Sequence, residues 1–90
     1  MSSYNLAPTA RFRKRFKAFR KKHPDLLITI DDRLELLRQD PHNVRLKTHK
    51  LSGTLQGCWA ASVSYEYRIV FRLDEDVIYL LSIGTHDEVY

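Results

Sequence analysis

The apolar residues in the first half of the chain recur with the period of an α-helix. Phe12, Phe16 and Phe19 fall at i, i+4 and i+7 and predict a helix whose first turn is capped by Thr9. Pro24 interrupts this pattern, and a second helix is predicted from about residue 24 to residue 39. The apolar side of this second helix consists of Leu27, Ile30, Leu34 and Leu37.

After residue 57 the period changes to that of a strand. Alternating apolar and polar residues predict a half-buried strand over residues 65–72, preceded by a strand over residues 58–63. The nearly continuous apolar run 77–83 is typical of a central strand, and residues 4–7 can add an edge strand. The expected fold is α+β, with two N-terminal helices packed on one face of a small antiparallel sheet. Residues 1–90 are expected to form a single domain.

The basic residues are concentrated in the first predicted helix. The formal net charge is +4, and eight of the fifteen Lys and Arg residues lie between positions 11 and 22. Such a run is able to bind phosphates, an acidic partner or an anionic membrane, and the alternative is that it forms a solvated helix face. No apolar run approaches the roughly 20 residues of a membrane span, and the N-terminus lacks the apolar core of a signal peptide. The cytoplasm is the expected compartment, with no membrane partner.

The candidate chemistry lies on the sheet face that the helices leave open. Glu66 and Arg68 are two residues apart on a predicted strand and so should share a face, and Ser62 can join them across the turn. His86 follows the last predicted strand, and His49 lies among basic residues. RNA cleavage needs a base for the 2′-hydroxyl, a cation for the phosphate and an acid for the leaving oxygen. This set supplies all three without a metal or another cofactor. The alternatives are a surface ion pair and structural histidines.

Three separated motifs add information that spacing alone does not give. They read Leu51-Ser-Gly-Thr-Leu-Gln-Gly57, Tyr67-Arg-Ile-Val-Phe71 and Ile83-Gly-Thr-His-Asp-Glu-Val-Tyr90. Through these motifs the chain resembles the RelE/ParE superfamily of toxins. The Gly-Thr-His ending and the position of His49 are similar to the YafQ-like branch. The resemblance covers residues 44–90, and the helical half by pattern only.

The resemblance implies a toxin of a type II toxin–antitoxin pair that cuts messenger RNA in the ribosomal A site. It also implies a cognate antitoxin that wraps the toxin and inhibits it. His49 and His86 match family histidines assigned to acid/base work. Glu66 stands at an acidic position of the YafQ-like branch, and Arg68 matches an arginine that holds the scissile phosphate. Tyr90 matches a terminal aromatic residue that positions the substrate or takes part in the reaction.

Ser62 departs from the YafQ-like pattern, which can carry a third histidine at this position. Serine is not a base near neutral pH without an activating partner. Proton handling would therefore rest on His49, Glu66 and His86. Further RNA contacts are expected from the basic residues Lys47, Lys50, Arg13 and Lys17.

Two other functions stay open at this point. A ParE-like toxin would inhibit DNA gyrase by binding it, without catalysis. Such a binder has no need of proton-handling residues, which argues against it here. The other alternative is a degraded family member that only binds its antitoxin.

Overall fold

Three α-helices and five β-strands make up residues 3–89, the part of the chain that this computed structural model describes. The helices are α1 (Ala10–Lys22), α2 (Leu27–Gln39) and α3 (His86–Val89). The strands are β1 (Asn5–Pro8), β2 (His49–Lys50), β3 (Trp59–Ser62), β4 (Tyr67–Asp74) and β5 (Val77–Thr85). Short 3-10 turns lie at Pro24–Leu26, Val44–Leu46 and Gly53–Leu55. None of the helices in residues 3–89 has the length and apolar character needed to cross a membrane.

The strands form one sheet in the order β1-β5-β4-β3-β2. The pairs β2–β3, β3–β4 and β4–β5 are antiparallel, whereas β1 runs parallel to β5, so the sheet is mixed. The side-chain pattern of a short edge strand does not encode its direction. That direction follows from Thr9, whose amide and hydroxyl both donate to the carbonyl oxygen of Leu80, at 3.0 and 2.8 Å. The Thr9 hydroxyl also accepts from the amide of Phe12 and caps α1, as predicted.

The core lies between the helices and one face of the sheet. Phe12 and Phe19 of α1 are buried there, as are Ile30 and Leu37 of α2, so the predicted α+β arrangement is confirmed. Phe16 is only half-buried, and Arg20 lies over its ring. The sheet contributes Ala61, Ile69, Phe71, Ile78, Leu80 and Ile83. The spacing of two residues lengthens to three between Leu80 and Ile83, because the β4–β5 register shifts by one residue opposite Val70 and Phe71. Burial of a large apolar side chain of this kind stabilises the fold by about 1.5–3 kcal/mol.

The strand that carries the candidate site begins two residues later than predicted. The amides of Val63 and Ser64 donate to the carbonyl oxygen of Tyr67, at 2.9 and 3.4 Å, and close a turn over residues 63–66. β4 therefore starts at Tyr67, and Glu66 lies in the turn. The prediction that Glu66 and Arg68 share one face of a strand is wrong for this reason.

Candidate active site on the open face of the sheet

Ser62 and Arg68 lie directly opposite each other on the open face of the sheet. They form one pair of the β3–β4 register, and directly opposed residues point to the same side of a sheet. The neighbours of Arg68 along β4, Tyr67 and Ile69, pack against the helix-side core. Because side chains alternate along a strand, Arg68 and Ser62 point away from the helices.

His49 lies on this same face, two strands away from β4. It pairs with Ala60, which pairs with Val70, and Val70 lies two residues along β4 from Arg68. Since neighbouring strands are about 4.8 Å apart, the Cα atom of His49 is about 10 Å from that of Val70. The open face thus presents the imidazole of His49 and the guanidinium of Arg68, with the guanidinium of Arg72 further along β4.

A backbone contact orients the ring of His49. Its Nδ1 lies 3.1 Å from the carbonyl oxygen of Lys47. A carbonyl oxygen only accepts hydrogen bonds, so Nδ1 carries the proton of the neutral ring and Nε2 carries the lone pair. Lys47 itself has φ 50° and ψ 40°, the left-handed region that L-residues enter at a cost of about 1–2 kcal/mol. This conformation turns the chain between the buried Leu46 and β2.

The guanidinium of Arg68 braces the turn before β4. Its Nη1 donates to the carbonyl oxygens of Ser64 and Tyr65 at 3.2 Å each, and to that of Tyr67 at 3.4 Å. Nη1 is the donor in all three of these hydrogen bonds, which are formed within residues 3–89. The edge formed by Nε and Nη2 keeps two parallel donors, which match two oxygens of a phosphate.

Glu66 and His86 lie at the same end of the sheet as Arg68. Tyr67 pairs with Thr85 in the β4–β5 register, Glu66 precedes Tyr67, and His86 follows Thr85. Both side chains are exposed, and Nδ1 of His86 lies 3.6 Å from a carboxylate oxygen of Asp87. The register therefore brings an acidic group and a second imidazole to the end of the sheet at which Arg68 lies.

The segment that carries His86 is a helical turn held by hydrogen bonds at its start. Glu88 accepts a hydrogen bond from the amide of Thr85 at 2.8 Å, and the hydroxyl of Thr85 accepts one from the amide of Glu88 at 3.3 Å. This reciprocal pair is a capping box, and the spacing Thr-x-x-Glu is its sequence signal. Val89 is buried, which also holds the turn in place.

Arg15 joins this C-terminal turn to α1. Its Nε donates to the carbonyl oxygen of Ile83 at 3.1 Å, and its Nη2 lies 3.9 Å from a carboxylate oxygen of Glu88. Gly84 leaves room for the contact, because a Cβ atom there would lie 3.0 Å from Arg15 Nη2 and 3.0 Å from Glu88 Cβ. Arg15 is thus a structural member of the basic run and not part of its solvated face.

A second contact that the sequence did not indicate supports the start of β4. The hydroxyl of Tyr67 lies 2.9 Å from Nε2 of His23, and the ring of Tyr67 meets Phe19 edge-on at 5.1 Å. Burial raises the pKa of Tyr67, and the nearby carboxylate of Glu66 raises it further. The phenol therefore keeps its proton near neutrality and packs the first residue of β4 against α1.

Four of the predicted site residues lie away from the open face or outside the structure. Lys50 points to the helix side, since it pairs with Trp59 and its Nζ lies 5.4 Å from the centre of that ring. Arg13 and Lys17 are exposed on α1, which covers the opposite face of the sheet. Tyr90 lies outside the described residues. Within residues 3–89, no three His, Cys, Asp or Glu side chains form a group that could hold a metal ion.

The fold is that of small bacterial toxins. A crystal structure of YafQ from E. coli strain BL21(DE3) superposes with a TM-score of 0.83 at 20% identity and covers 97% of this chain and 98% of that one. The toxin in the E. coli DinJ-YafQ toxin-antitoxin complex gives 0.81 at 20% identity, with 97% of each chain covered. The YoeB-YefM complex from Staphylococcus aureus gives 0.69 at 21% identity, with 94% and 99% covered.

The sequence also matches a protein-family model over almost its whole length. Residues 4–90 match the model described as the bacterial toxin of type II toxin-antitoxin system, YafQ. The chain therefore belongs to the YafQ family of toxins. No curated protein gives a significant sequence match.

The capping box makes a pH-dependent prediction. Its hydrogen bonds from Thr85, and then the charge of Arg15, lower the pKa of Glu88 below its usual value of about 4.5. Because the folded-state pKa is the lower one, the stabilisation is present above pH 4.5 and is lost as the pH falls through the lowered value. We expect the amide signal of Thr85 in an NMR titration to shift with a midpoint below 4.5. In Glu88→Gln the titration should vanish, and a wild-type midpoint at or above 4.5 would contradict this account.

Proposed function

We propose that this toxin is a ribosome-dependent endoribonuclease that cleaves messenger RNA by metal-independent attack of the 2′-hydroxyl. The observation that supports the proposal best is the shared open face of His49 and Arg68, with Glu66 and His86 next to the strand residues at the same end of the sheet as Arg68. A toxin that acted only by binding gyrase would not need two imidazoles beside a phosphate-matching guanidinium. We expect this toxin to act in the cytoplasm and to meet its mRNA substrate on the ribosome.

The proposed reaction uses each group for one step. His49 takes the proton of the 2′-hydroxyl on Nε2, and the 2′-oxygen attacks the phosphorus. Arg68 holds the non-bridging phosphate oxygens and offsets the charge that develops on them. The bond from phosphorus to the 5′-oxygen breaks, and protonated His86 gives a proton to that oxygen. Glu66 lies beside His86 as a further proton-handling group, and Tyr90 positions the substrate.

A cognate antitoxin is the second proposed partner. Related toxins crystallise with DinJ and with YefM, which supports an antitoxin for this family member too. The exposed basic residues of α1 suit an acidic segment of such a partner, or ribosomal RNA. These residues lie on the opposite side of the molecule from the open face, so they would contribute affinity and not chemistry.

The first test is cleavage of a defined mRNA on purified ribosomes by His86→Ala. Loss of a general acid or base typically costs about 10²–10⁴-fold in rate, and we expect a fall of that size in kcat. The fold should persist, because the side chain of His86 is 68% exposed. Circular dichroism checks this, and the matched control is His42→Ala, which removes an exposed histidine that contacts Trp59.

The outcome that removes His86 from the mechanism is a well-folded His86→Ala protein that cuts at the wild-type rate. In that case His49 and Glu66 would carry the proton transfers. A 2′-deoxy nucleotide at the cleavage site should block the wild-type protein, because the attacking hydroxyl is then missing.

The second test concerns the basic surface of α1. Reversing the charge at Arg13 and Lys17 should weaken binding to ribosomes or to the antitoxin, most strongly at low salt. The rate of the chemical step, measured at saturating ribosome concentration, should not change. Binding curves across low and moderate salt give the answer. If both partners bind as tightly as they bind the wild type at every salt concentration, the run is a solvated helix face.

A further inference from the structure

A cationic groove lies beside the open face, between α2 and the turn that precedes β4. It has a volume of about 330 Å³, within the range of small-ligand sites. Arg68 and Ser62 form the end of the groove that it shares with the candidate active site. The other charged and aromatic lining residues are Arg33, Arg45, Lys47 and Tyr65.

The local fold holds the cations of this groove in place. Leu46 is buried and anchors the turn Val44–Leu46, so its neighbours Arg45 and Lys47 are directed outward on either side. One carboxylate oxygen of Asp32 lies 2.9 Å from Arg33 Nη1 and 3.6 Å from Arg45 Nη2. The single negative charge of Asp32 thus orients the guanidiniums of both Arg33 and Arg45 and neutralises only one of their two positive charges. The groove keeps a net positive charge and suits a polyanion.

Tyr65 adds a feature that a phosphate site alone would not need. Its side chain is 95% exposed at the tip of the turn, although an aromatic ring of this size is usually at least partly buried. The carbonyl oxygen of Tyr65 accepts from Arg68 Nη1, which fixes the backbone of the residue that carries the ring. An exposed ring beside a row of cations is the arrangement with which proteins hold single-stranded nucleic acid, stacking a base and tracking the backbone.

We propose that this groove binds the single-stranded RNA next to the scissile phosphate, with Tyr65 stacking on a base and Arg45 contacting a backbone phosphate. This inference rests on the proposed nuclease function and names a part of its substrate site. Arg68 then lies where the groove meets the open face. An RNA strand leaving the candidate active site would run past it toward Arg33 and Arg45.

The test measures binding separately from cleavage. A fluorescent oligoribonucleotide with 2′-O-methyl groups at every position cannot be cut, and anisotropy reports its affinity without the ribosome. Tyr65→Ala should bind it about 5- to 150-fold more weakly, the loss expected for one base–aromatic stack. Tyr65→Phe keeps the ring and should bind like the wild type.

Salt dependence separates stacking from charge. Arg45→Gln should reduce the slope of log K against log salt concentration by about 0.7, the value for one lost phosphate contact with a single strand. Tyr65→Ala should leave that slope unchanged. The matched control is Arg38→Gln, an arginine of α2 outside the groove lining that is held by Glu35 and Ser3, and we expect it to keep both affinity and slope. In the ribosome assay Tyr65→Ala should raise KM more than it lowers kcat.

Each result decides the proposal. Wild-type affinity in Tyr65→Ala, equal losses in Tyr65→Ala and Tyr65→Phe, or no oligonucleotide binding by the wild-type protein at low salt would overturn it. Groove variants that lose the antitoxin and keep RNA would also overturn it, because the groove would then be a protein interface. If Tyr65→Ala loses RNA while the wild-type protein never cuts mRNA, the groove stands and the nuclease function fails. If the wild-type protein cuts mRNA and Tyr65→Ala matches it in RNA binding and KM, the nuclease function stands and the groove proposal fails.

Discussion

The register of β4 between β3 and β5 determines both the core and the open face. Ile69 and Phe71 face the helices, while Arg68 and Val70 point the other way. Because side chains alternate along β4, a slip of this strand by one residue would bury Arg68 and expose Phe71. Burial of Phe71, whose exposed fraction is 0%, therefore also holds Arg68 opposite Ser62. Packing on one face of the sheet positions the candidate chemistry on the other.

The end of the sheet where β4 begins is held by polar contacts and not by the core alone. Arg68 braces the turn over residues 63–66 from the open side, and Tyr67 packs against His23 on the helix side. Arg15 reaches from α1 to the end of β5 and to Glu88. These contacts hold the backbone next to Glu66 and His86 at the end of the sheet where Arg68 lies, although both side chains are exposed. Exposed groups on a braced backbone are accessible to a large substrate and still held in position.

The sequence predicted the elements that a regular period defines. Both long helices, the three C-terminal strands and the α+β class followed from apolar spacing, and the resemblance to the toxin superfamily indicated the family. The parallel direction of β1 did not follow, because it depends on the hydrogen bonds of Thr9 to Leu80, far away along the chain. The 3-10 turn at Pro24–Leu26 falls inside the predicted second helix, because Pro24 suits the first residue of either kind of helix.

The site was predictable in its residue types but less so in its geometry. His49 and Ser62 share a face with Arg68 because of pairings between strands, which the spacing along one strand does not show. For the same reason the sequence grouped Lys50 with His49, although neighbouring residues of a strand point to opposite faces. The capping box of Thr85 and Glu88 does have a sequence signal, the Thr-x-x-Glu spacing. The contacts of Arg15 have no sequence signal, because its partners Ile83 and Glu88 come from the other end of the chain.

The chemical form of the RNA ends tests the central claim most directly. A defined mRNA is cut by the wild-type protein on purified ribosomes, with a chelator present, and the new ends are identified by mass spectrometry. Attack by the 2′-hydroxyl must leave a 2′,3′-cyclic phosphate on the upstream fragment and a 5′-hydroxyl on the downstream fragment. The account predicts these two ends, in the presence of the chelator. A 3′-hydroxyl with a 5′-phosphate, or mRNA that stays intact, would contradict it.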